Sequence, residues 1–340
     1  MLKQDLKKKK ICLFLRKPFK DTNFSTEGYY KDLFFNNKHK KFKFVFKICP
    51  VYSKGLINRL FLIFWAIFNQ GDINHICGDI NFISLFLKKN KTINTYLDIY
   101  SLKRLVGLKK LIYRFFWIKL PILKSSYIIS ISQKTKRDLN KIHKISDKAK
   151  VIDLCVNQNF KRNNKIFKIK KPRILIVGTA INKNIENAIN SLKNINCKII
   201  IIGKLKKNIR EILIKDNHIY KNYVSLKIKD VIKNYNKSDI LLFISKHEGF
   251  GLPILEAQSV GRPVITSNLQ PMKYVAGTNG AYFVDPNNLS AIKKAILKII
   301  KNKNLRNNLI QNGFENVKRF KKSRILQHHY DIYRKVIFFN

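Results

Sequence analysis

Two glutamates flank a short glycine-containing segment in the C-terminal half of the chain. Glu248 precedes Gly249 and Gly251, and Glu256 follows with seven residues between the two carboxylates. Glycine permits a tight turn that brings backbone N–H groups close to a ligand. Carboxylate oxygens accept hydrogen bonds, so Glu248 can accept them from a sugar beside the loop and Glu256 from the vicinal hydroxyls of a ribose. The competing interpretation is that Glu256 only favours a helix dipole and that Glu248 is solvated.

The residues around this pair predict a strand, a loop, a helix and a second strand between Ser238 and Ser267. Asp239 to Ile244 is an apolar run of buried-strand length. Pro253 suits the first position of a helix and Gly261 suits its end, which places Glu256 in the first turn. The helix N-terminus then opens onto the glycine loop, where unpaired N–H groups favour an anion such as a nucleotide diphosphate.

A second unit of the same kind lies upstream. Ile174 to Val177 is predicted to be a buried strand, Gly178 to Asn182 a turn, and Asn184 to Leu192 a helix. Lys183 stands at the start of that helix, where its charge opposes the helix dipole. An anionic ligand explains this lysine more easily than helix stability does, although the chain is rich in lysine throughout.

The string HEGFGLPILEAQSVGRPVITS, with PMKYVAG and GAYFVDP further on, resembles the signature of the family 4 retaining glycosyltransferases of the GT-B fold. In that family VGT followed by KN, as here, is the segment with the diphosphate-binding lysine. The string GDINHICGDINFISLFL, which contains His75 and Asp79, resembles a segment of a bacterial polysaccharide subgroup. This chain differs from the family at three positions, because Thr179 replaces a frequent arginine, Tyr274 a glutamate and Leu97 a histidine.

The resemblance implies an α/β chain of the GT-B fold, with two Rossmann-like domains whose parallel sheets face each other across a cleft. It implies metal-independent transfer of a hexosyl group from a nucleotide-sugar donor to a glycan, with retention at the anomeric carbon. The expected acceptor is a lipid-linked intermediate of a surface polysaccharide, such as capsule or the O-antigen of lipopolysaccharide. No cofactor is expected, because the nucleotide-sugar is a substrate.

The resemblance and the predicted strand ends indicate three groups of site residues. The donor-binding group is Gly178, Thr179, Lys183, Asn184, Glu248, Gly249, Phe250, Gly251, Leu252 and Glu256. The catalytic candidates are Glu248, Asp98 and His75, and the acceptor-binding candidates are Ser25, Glu27 and Asp79. Two alternatives stay open. Ser25 to Glu27 can simply cap a helix that begins near Thr26, and His75 can be a histidine satisfied by backbone hydrogen bonds at a strand end.

Chain length and composition suit two domains, because 340 residues with 45% hydrophobic side chains can bury two cores of ordinary size. We expect an N-terminal acceptor-binding domain at 1–160, followed by a polar linker at 161–172. A nucleotide-sugar-binding domain is expected at 173–320. A last helix, at 321–340, is expected to cross back to the N-terminal domain.

The formal net charge of +49 leaves two other functions open. Charge alone favours a basic nucleic-acid-binding protein; since no recognisable motif accompanies the charge, we expect no specific nucleic-acid partner. Leu97 and Tyr274 favour a nucleotide-sugar-binding protein that does not catalyse transfer.

The same charge attracts anionic membranes. Leu102 to Lys124 interleaves basic and aromatic residues, so membrane contact and core packing both remain open for it. Leu56 to Phe68 is predicted to be a core-packed helix, and its apolar run is too short to span a bilayer. The five dispersed cysteines favour neither a disulfide framework nor a zinc site. Ile11 to Leu15 is too short for a signal-peptide core. We therefore expect a cytoplasmic protein, with peripheral attachment to the inner face of the cell membrane as an alternative.

Overall fold

The computed structural model of the chain describes residues 8–18, 26–35, 37 and 39–338, so the predicted acceptor residue Ser25 lies outside the described residues. The chain divides into two compact units. Unit 1 comprises the residues up to Asp153 together with those from Lys322 onward, and unit 2 comprises Leu154–Lys321. The division after Asp153 precedes the boundary predicted at 160.

The predicted linker, 161–172, is irregular backbone that packs within unit 2 and therefore does not connect the two units as a free segment. The Lys165 ammonium pairs with the buried Asp239 carboxylate. The Arg262 guanidinium donates to the side-chain oxygen of Asn163 at 2.7 Å and to its carbonyl oxygen at 3.0 Å. The polar, basic composition of 161–172 predicted a linker. In the structure this segment instead provides polar partners for two buried charged groups of unit 2, Asp239 and Arg262.

The sheet of unit 1 has six parallel strands in the order β2-β1-β3-β4-β5-β6. Its strands are β1 (Lys9–Leu15), β2 (Phe42–Ile48), β3 (Ile73–Cys77), β4 (Thr92–Tyr96), β5 (Tyr127–Ser130) and β6 (Ala149–Val151). Ile11 to Leu15 is an unbroken buried apolar run, as expected for a strand covered on both faces. Strand order reverses between β1 and β3, and the carboxyl ends of strands at such a switch point are where open α/β sheets bind ligands.

Helices and helical turns connect the strands of unit 1. The helices are α1 (Thr26–Phe34), α2 (Leu56–Ile67), α3 (Tyr100–Arg104), α4 (Gly107–Tyr113), α5 (Leu120–Leu123) and α6 (Gln133–Asn140). The 3-10 turns are Asn81–Phe86, Lys89–Lys91 and Ser146–Lys148, and a π-helical turn covers Arg114–Lys119. Among the described residues, none of the helices is long and apolar enough to cross a membrane.

Leu56 to Phe68, predicted to be a core-packed helix, packs into the core through one face only. Leu62, Ile63 and Ala66 are buried, but the opposite face of α2 is also apolar and lies on the surface. Apolar composition predicted the helix correctly. It could not indicate that apolar side chains occupy both faces of α2, when a single core can cover only one.

The sheet of unit 2 also has six parallel strands, in the order β12-β11-β10-β7-β8-β9. Its strands are β7 (Arg173–Val177), β8 (Lys198–Ile202), β9 (Tyr220–Tyr223), β10 (Ile240–Phe243), β11 (Val264–Ser267) and β12 (Tyr282–Val284). Its helices are α7 (Ile185–Asn190), α8 (Lys207–Lys215), α9 (Ile228–Lys237), α10 (Leu252–Ser259), α11 (Met272–Ala276), α12 (Leu289–Lys301) and α13 (Lys303–Val317). A core rich in isoleucine joins the sheet to α7, α8, α12 and α13.

The last helix, α14 (Lys322–Phe338), belongs to unit 1. The Tyr333 hydroxyl lies 2.8 Å from Nδ1 of His75 on β3, and the Tyr330 hydroxyl accepts a hydrogen bond from Asn37. Aromatic rings of α14 also pack against Phe34 and Phe42. Helix α14 is thereby part of the core of unit 1.

Candidate functional site

Lys183 lies directly over the backbone of Gly178, in the loop between β7 and α7. Gly178 has φ +89°, and a Cβ atom at this position would stand 2.9 Å from Cε of Lys183. The loop therefore needs a glycine both for its backbone conformation and for the close approach of the lysine chain. Thr179, the next predicted residue, donates its hydroxyl to the carbonyl oxygen of Lys204 at 2.8 Å and braces the loop.

The predicted residues Lys183 and Glu248 meet in the structure. Nζ of Lys183 lies 2.8 Å from Oε1 of Glu248, and their side chains are 21% and 11% exposed. The same ammonium lies 4.9 Å from the centroid of the Phe243 ring. The two residues follow β7 and β10, which are neighbours in the sheet, so their loops leave the same edge. An ammonium and a carboxylate are thus held together at the carboxyl end of the sheet of unit 2.

Asn182 joins these two loops, and the sequence analysis did not select it. Its side chain donates to the carbonyl oxygen of His247 at 2.8 Å, and its own carbonyl oxygen accepts from the N–H of Lys246 at 2.8 Å. Because its partners are the two residues before Glu248, Asn182 holds the carboxylate beside Lys183. The only sequence signal for this role is an asparagine in a turn next to a charged candidate.

Asn184, a predicted donor-binding residue, has its side-chain amide committed inside the protein. It is buried and donates to the carbonyl oxygens of Pro286 at 2.7 Å and Ile244 at 3.3 Å. Its φ of 56° is left-handed, so Asn184 precedes α7 and does not form its first turn as predicted. This environment supports a positioning role for the amide and does not support direct ligand contact.

The glycine loop leads into α10 as predicted. Gly251 has φ +117° and precedes the helix, and no side chain caps the first N–H groups of α10. These N–H groups and the helix dipole favour an anion in front of Leu252. Gly249 is buried, and Phe250 packs edge-on against Phe320 with ring centroids 5.8 Å apart. Phe250 thus anchors the loop through its ring.

Glu256 lies in the second turn of α10, because this helix begins at Leu252, and not in the first turn as predicted. Its side chain is buried, and Oε2 accepts a hydrogen bond from the Tyr235 hydroxyl at 2.5 Å. Burial raises the pKa of Glu256 to about 7, against the opposing effects of the Tyr235 hydrogen bond and the charge of Lys183. Among the described residues, Tyr235 is the one hydrogen-bond partner of this carboxylate.

Tyr235 is a second residue that the sequence analysis missed. It lies on α9, is fully buried and packs edge-on against Phe160. An inward tyrosine on a helix usually indicates core packing, and this one lies 21 positions before Glu256 in the chain. Its hydroxyl orients the buried carboxylate, since a tyrosine hydroxyl in a core needs an acceptor.

In unit 1, Arg16 brings together the predicted acceptor residues Glu27 and Asp79. Nε of Arg16 lies 2.5 Å from Oε1 of Glu27, and Nη1 lies 2.7 Å from Oδ2 of Asp79. Arg16 directly follows β1, Glu27 is in the first turn of α1, and Asp79 follows β3. The three residues therefore lie at the switch point of this sheet. Oε2 of Glu27 is buried and has no hydrogen-bond partner among the described residues.

The environment of His75 does not support its predicted role as a catalytic group. The ring is fully buried, with Nδ1 2.8 Å from the Tyr333 hydroxyl and Nε2 2.7 Å from the Thr95 hydroxyl. Burial lowers the pKa of His75 to about 3. Both ring nitrogens are therefore hydrogen-bonded to side chains of the core. The alternative prediction, that backbone groups satisfy His75, is also wrong. Asp98 is exposed and accepts the backbone N–H of Tyr100 at 2.8 Å, next to the start of α3.

Residues 157–316 match the family model Glycosyl transferases group 1. The matched residues lie within unit 2 and include Lys183, Glu248 and Glu256. An uncharacterized glycosyltransferase, MJ1178 of Methanocaldococcus jannaschii, is 28% identical over 244 residues, which are 70% of this chain and 67% of that protein. The O-antigen chain mannosyltransferase RfbU of Salmonella typhimurium is 26% identical over 261 residues, which are 73% of this chain and 69% of RfbU.

Solved structures show the same fold. Sucrose-phosphate synthase from Thermosynechococcus elongatus superposes with a TM-score of 0.81 and 14% identity, over 98% of this chain and all of that chain. HepE of Anabaena, crystallised with UDP and glucose, superposes with a TM-score of 0.77 and 13% identity, over 95% of this chain and 99% of that chain. The chain has the GT-B fold, and the family match and the names of the relatives support a glycosyltransferase.

Proposed function

We propose that the protein is a retaining glycosyltransferase that moves a hexosyl group from a nucleotide-sugar to a glycan without a metal ion. The bond between the anomeric carbon and the diphosphate oxygen breaks, a bond to the acceptor hydroxyl oxygen forms on the same face of the sugar, and the hydroxyl proton passes to the departing diphosphate. The observation that carries this proposal is the Lys183–Glu248 pair, held beside the uncapped N-terminus of α10.

Lys183 and α10 supply the positive side of this site. The diphosphate of a donor fits between the Lys183 ammonium and the first N–H groups of α10, where the helix dipole adds to the charge. During transfer, negative charge develops on the leaving diphosphate. Lys183 stabilises that charge, a role that a divalent cation has in other enzymes.

Glu248 supplies the polar contact to the sugar. In the free protein its carboxylate pairs with Lys183. When a diphosphate binds the Lys183 ammonium, the Glu248 carboxylate is released from its ion pair and becomes available to accept hydrogen bonds from sugar hydroxyls. The ion pair therefore keeps both groups in place before the donor binds, and Asn182 and Gly178 fix the loops that carry them.

Glu256 is the proposed ribose contact. Tyr235 holds Oε2, which leaves Oε1 of the carboxylate for the vicinal hydroxyls. Since the pKa of Glu256 is about 7, this group is only partly ionised at neutral pH in the free protein. Hydroxyl donors from a ribose stabilise the ionised form, so donor binding is expected to lower this pKa and release a proton.

On the acceptor side, we propose a lipid-linked intermediate of a surface polysaccharide, handled by a cytoplasmic enzyme. The name of the relative RfbU, an O-antigen chain mannosyltransferase, supports this substrate class. Within unit 1, Glu27 and Asp79 provide carboxylates at the switch point of the sheet, and Arg16 holds them together. Carboxylates so placed can accept hydrogen bonds from acceptor hydroxyls.

The test is thermal stabilisation of the purified chain by UDP, GDP, ADP and CMP in EDTA, since a ligand that binds the native state raises its stability. We expect one nucleoside diphosphate to raise the melting temperature of the wild type and of Lys298→Ala, but not of Lys183→Ala or Glu256→Ala. Lys298 is the matched control, because its ammonium also lies over an aromatic ring of unit 2, that of Tyr282. A nucleotide shift that survives Lys183→Ala would refute the assignment of the diphosphate site.

Transfer itself is then tested with the nucleotide-sugars of the base that binds. Formation of a glycosylated acceptor in EDTA supports metal-independent glycosyl transfer. A product with inverted anomeric configuration contradicts retention. Binding without any transfer supports the alternative of a nucleotide-sugar-binding protein that does not catalyse the reaction.

A further inference from the structure

The surface of unit 1 carries large apolar side chains at positions where polar residues are usual. On α2 and just after it, six large apolar side chains are exposed, with Ile57 83% and Phe68 86% accessible. The six are Leu56, Ile57, Leu60, Phe61, Phe64 and Phe68. Since Leu62, Ile63 and Ala66 already pack into the core, this exposed face is additional to the one that the fold uses.

A second exposed apolar set lies on the segment that follows α3. It comprises Val106, Leu108, Leu111, Ile112, Phe115, Phe116 and Leu123. Ile118 and Ile122 of the same segment are buried and hold it against unit 1. A contiguous apolar patch on a soluble protein usually marks an interaction site.

The two sets are neighbours in space. The Arg59 guanidinium of α2 lies over the Trp117 ring of the π-helical turn, 4.7 Å from its centroid. The Trp117 ring also packs against Phe82, at 4.9 Å between centroids, in the 3-10 turn that ends at the exposed Phe86. We call the two sets together with Phe86 the apolar-basic surface.

The charged residues of the two segments that carry these sets are all basic. The sequence contains neither Asp nor Glu between Asp32 and Asp72, nor between Asp98 and Asp138. Basic residues interleave with the apolar ones, namely Lys54, Arg59, Lys103, Arg104, Lys109, Lys110, Arg114, Lys119 and Lys124. A second copy of the chain would bring these like charges together, which is unfavourable, whereas an anionic surface complements them.

We propose that the apolar-basic surface docks unit 1 onto an anionic lipid bilayer. Helices with exposed Phe and Leu side chains and flanking Lys and Arg lie in the membrane interface, where the apolar face enters the acyl boundary and the cations meet anionic headgroups. All of its residues belong to unit 1, whereas the proposed donor site is in unit 2. Membrane docking can therefore be measured separately from nucleotide binding by unit 2.

The experiment is flotation of the full chain with phosphatidylcholine vesicles, with and without phosphatidylglycerol, at physiological salt. We expect binding to the phosphatidylglycerol vesicles, little binding to the neutral ones, and loss of binding as salt increases. Lys109→Glu with Lys110→Glu should weaken binding by about 30-fold or more, since each basic residue near an anionic leaflet contributes about fivefold. Ile57→Gln with Phe64→Gln and Phe68→Gln should weaken it by at least about tenfold.

Matched controls lie on unit 2. Lys206→Glu with Lys207→Glu changes two adjacent exposed lysines, and Ile166→Gln with Ile214→Gln changes two exposed isoleucines. Neither pair should alter vesicle binding. Nucleotide-induced stabilisation should stay unchanged in all four variants, so that failure of docking is distinguished from failure of the donor site.

Three results would overturn the whole proposal, and a fourth would overturn its requirement for anionic lipid. The first is no flotation with anionic vesicles, and the second is equal loss of binding in the unit 2 controls. The third is self-association in light scattering without vesicles that the α2 variant abolishes, which would assign the surface to a second copy. Equal binding to neutral and anionic vesicles would contradict the role of the lysines.

Discussion

The buried carboxylate of Glu256 makes a pH-dependent prediction about stability. Its pKa is about 7 in the folded protein, against an ordinary value of 4.5. A carboxyl group whose pKa is raised by folding stabilises the protein fully below the unfolded pKa, and that contribution is lost as pH rises toward the folded pKa. Stability should therefore fall between about pH 4.5 and pH 7 on account of this group.

The magnitude follows from the difference between the two pKa values. About 2.5 pKa units, at 1.36 kcal/mol each, correspond to about 3 kcal/mol in the free energy of unfolding. Glu256→Gln cannot ionise, and its side-chain oxygen can still accept from the Tyr235 hydroxyl. Relative to wild type, this variant should gain about 3 kcal/mol as pH rises from 4.5 to above 7.

The assay is urea unfolding at a series of pH values, followed by circular dichroism and by tryptophan fluorescence. Trp65 and Trp117 are the two tryptophans of the chain and both belong to unit 1, so fluorescence reports that unit. The gain should appear in the circular dichroism transition of unit 2. Glu211→Gln, an exposed change on α8, is the control for removal of one negative charge. A constant difference between Glu256→Gln and wild type at all pH values would refute the reasoning.

Two further predictions concern unit 1. Since burial lowers the pKa of His75 to about 3, the unfolded chain takes up a proton below about pH 6.5 that the folded chain does not, and unit 1 should lose about 2 kcal/mol of stability between pH 7 and pH 5. Tryptophan fluorescence in urea measures this, and a transition midpoint independent of pH would contradict it. Arg16→Met should destabilise unit 1 by roughly 3 kcal/mol, because it leaves the buried Glu27 carboxylate without its cation. Adding Glu27→Gln should restore most of this loss, and a double variant as unstable as the single one would show that the charge pair is not the cause.

The sequence was sufficient for those parts of the fold that depend on local patterns. Apolar runs such as Ile174 to Val177 are buried parallel strands, as predicted, because a strand covered on both faces needs apolar residues at every position. Gly251 and Pro253 marked the start of α10 through the backbone conformations that they allow. Lys183 and Glu248 stood out because a charge next to a predicted strand end or glycine loop is positioned by the fold itself.

What the sequence could not indicate is which side chains meet across long separations. Tyr235 holds the carboxylate of Glu256, and Arg16 holds that of Glu27. In the sequence, however, such a tyrosine is equally typical of core packing and such an arginine of a solvated surface. His75 shows the converse, because a histidine in a conspicuous motif proves to be bonded on both ring nitrogens within the core. Hydrogen-bond partners of this kind depend on strand order and helix packing, which local periodicity does not encode.

The unusual charge balance of this chain changes which residues are informative. With 69 basic and 20 acidic side chains, a lysine by itself carries little information about a site, because lysines occur throughout the sequence. A nearly buried carboxylate carries more information about a site, because burial of an ionised group is costly unless a partner compensates it. Glu27, Glu248 and Glu256 are each largely buried, and each contacts a cation or a hydroxyl near the carboxyl edge of a parallel sheet. In a chain with so much positive charge, these three carboxylates mark the places where hydroxyl-bearing ligands are expected to bind, and the apolar-basic surface of unit 1 marks where an anionic partner is expected.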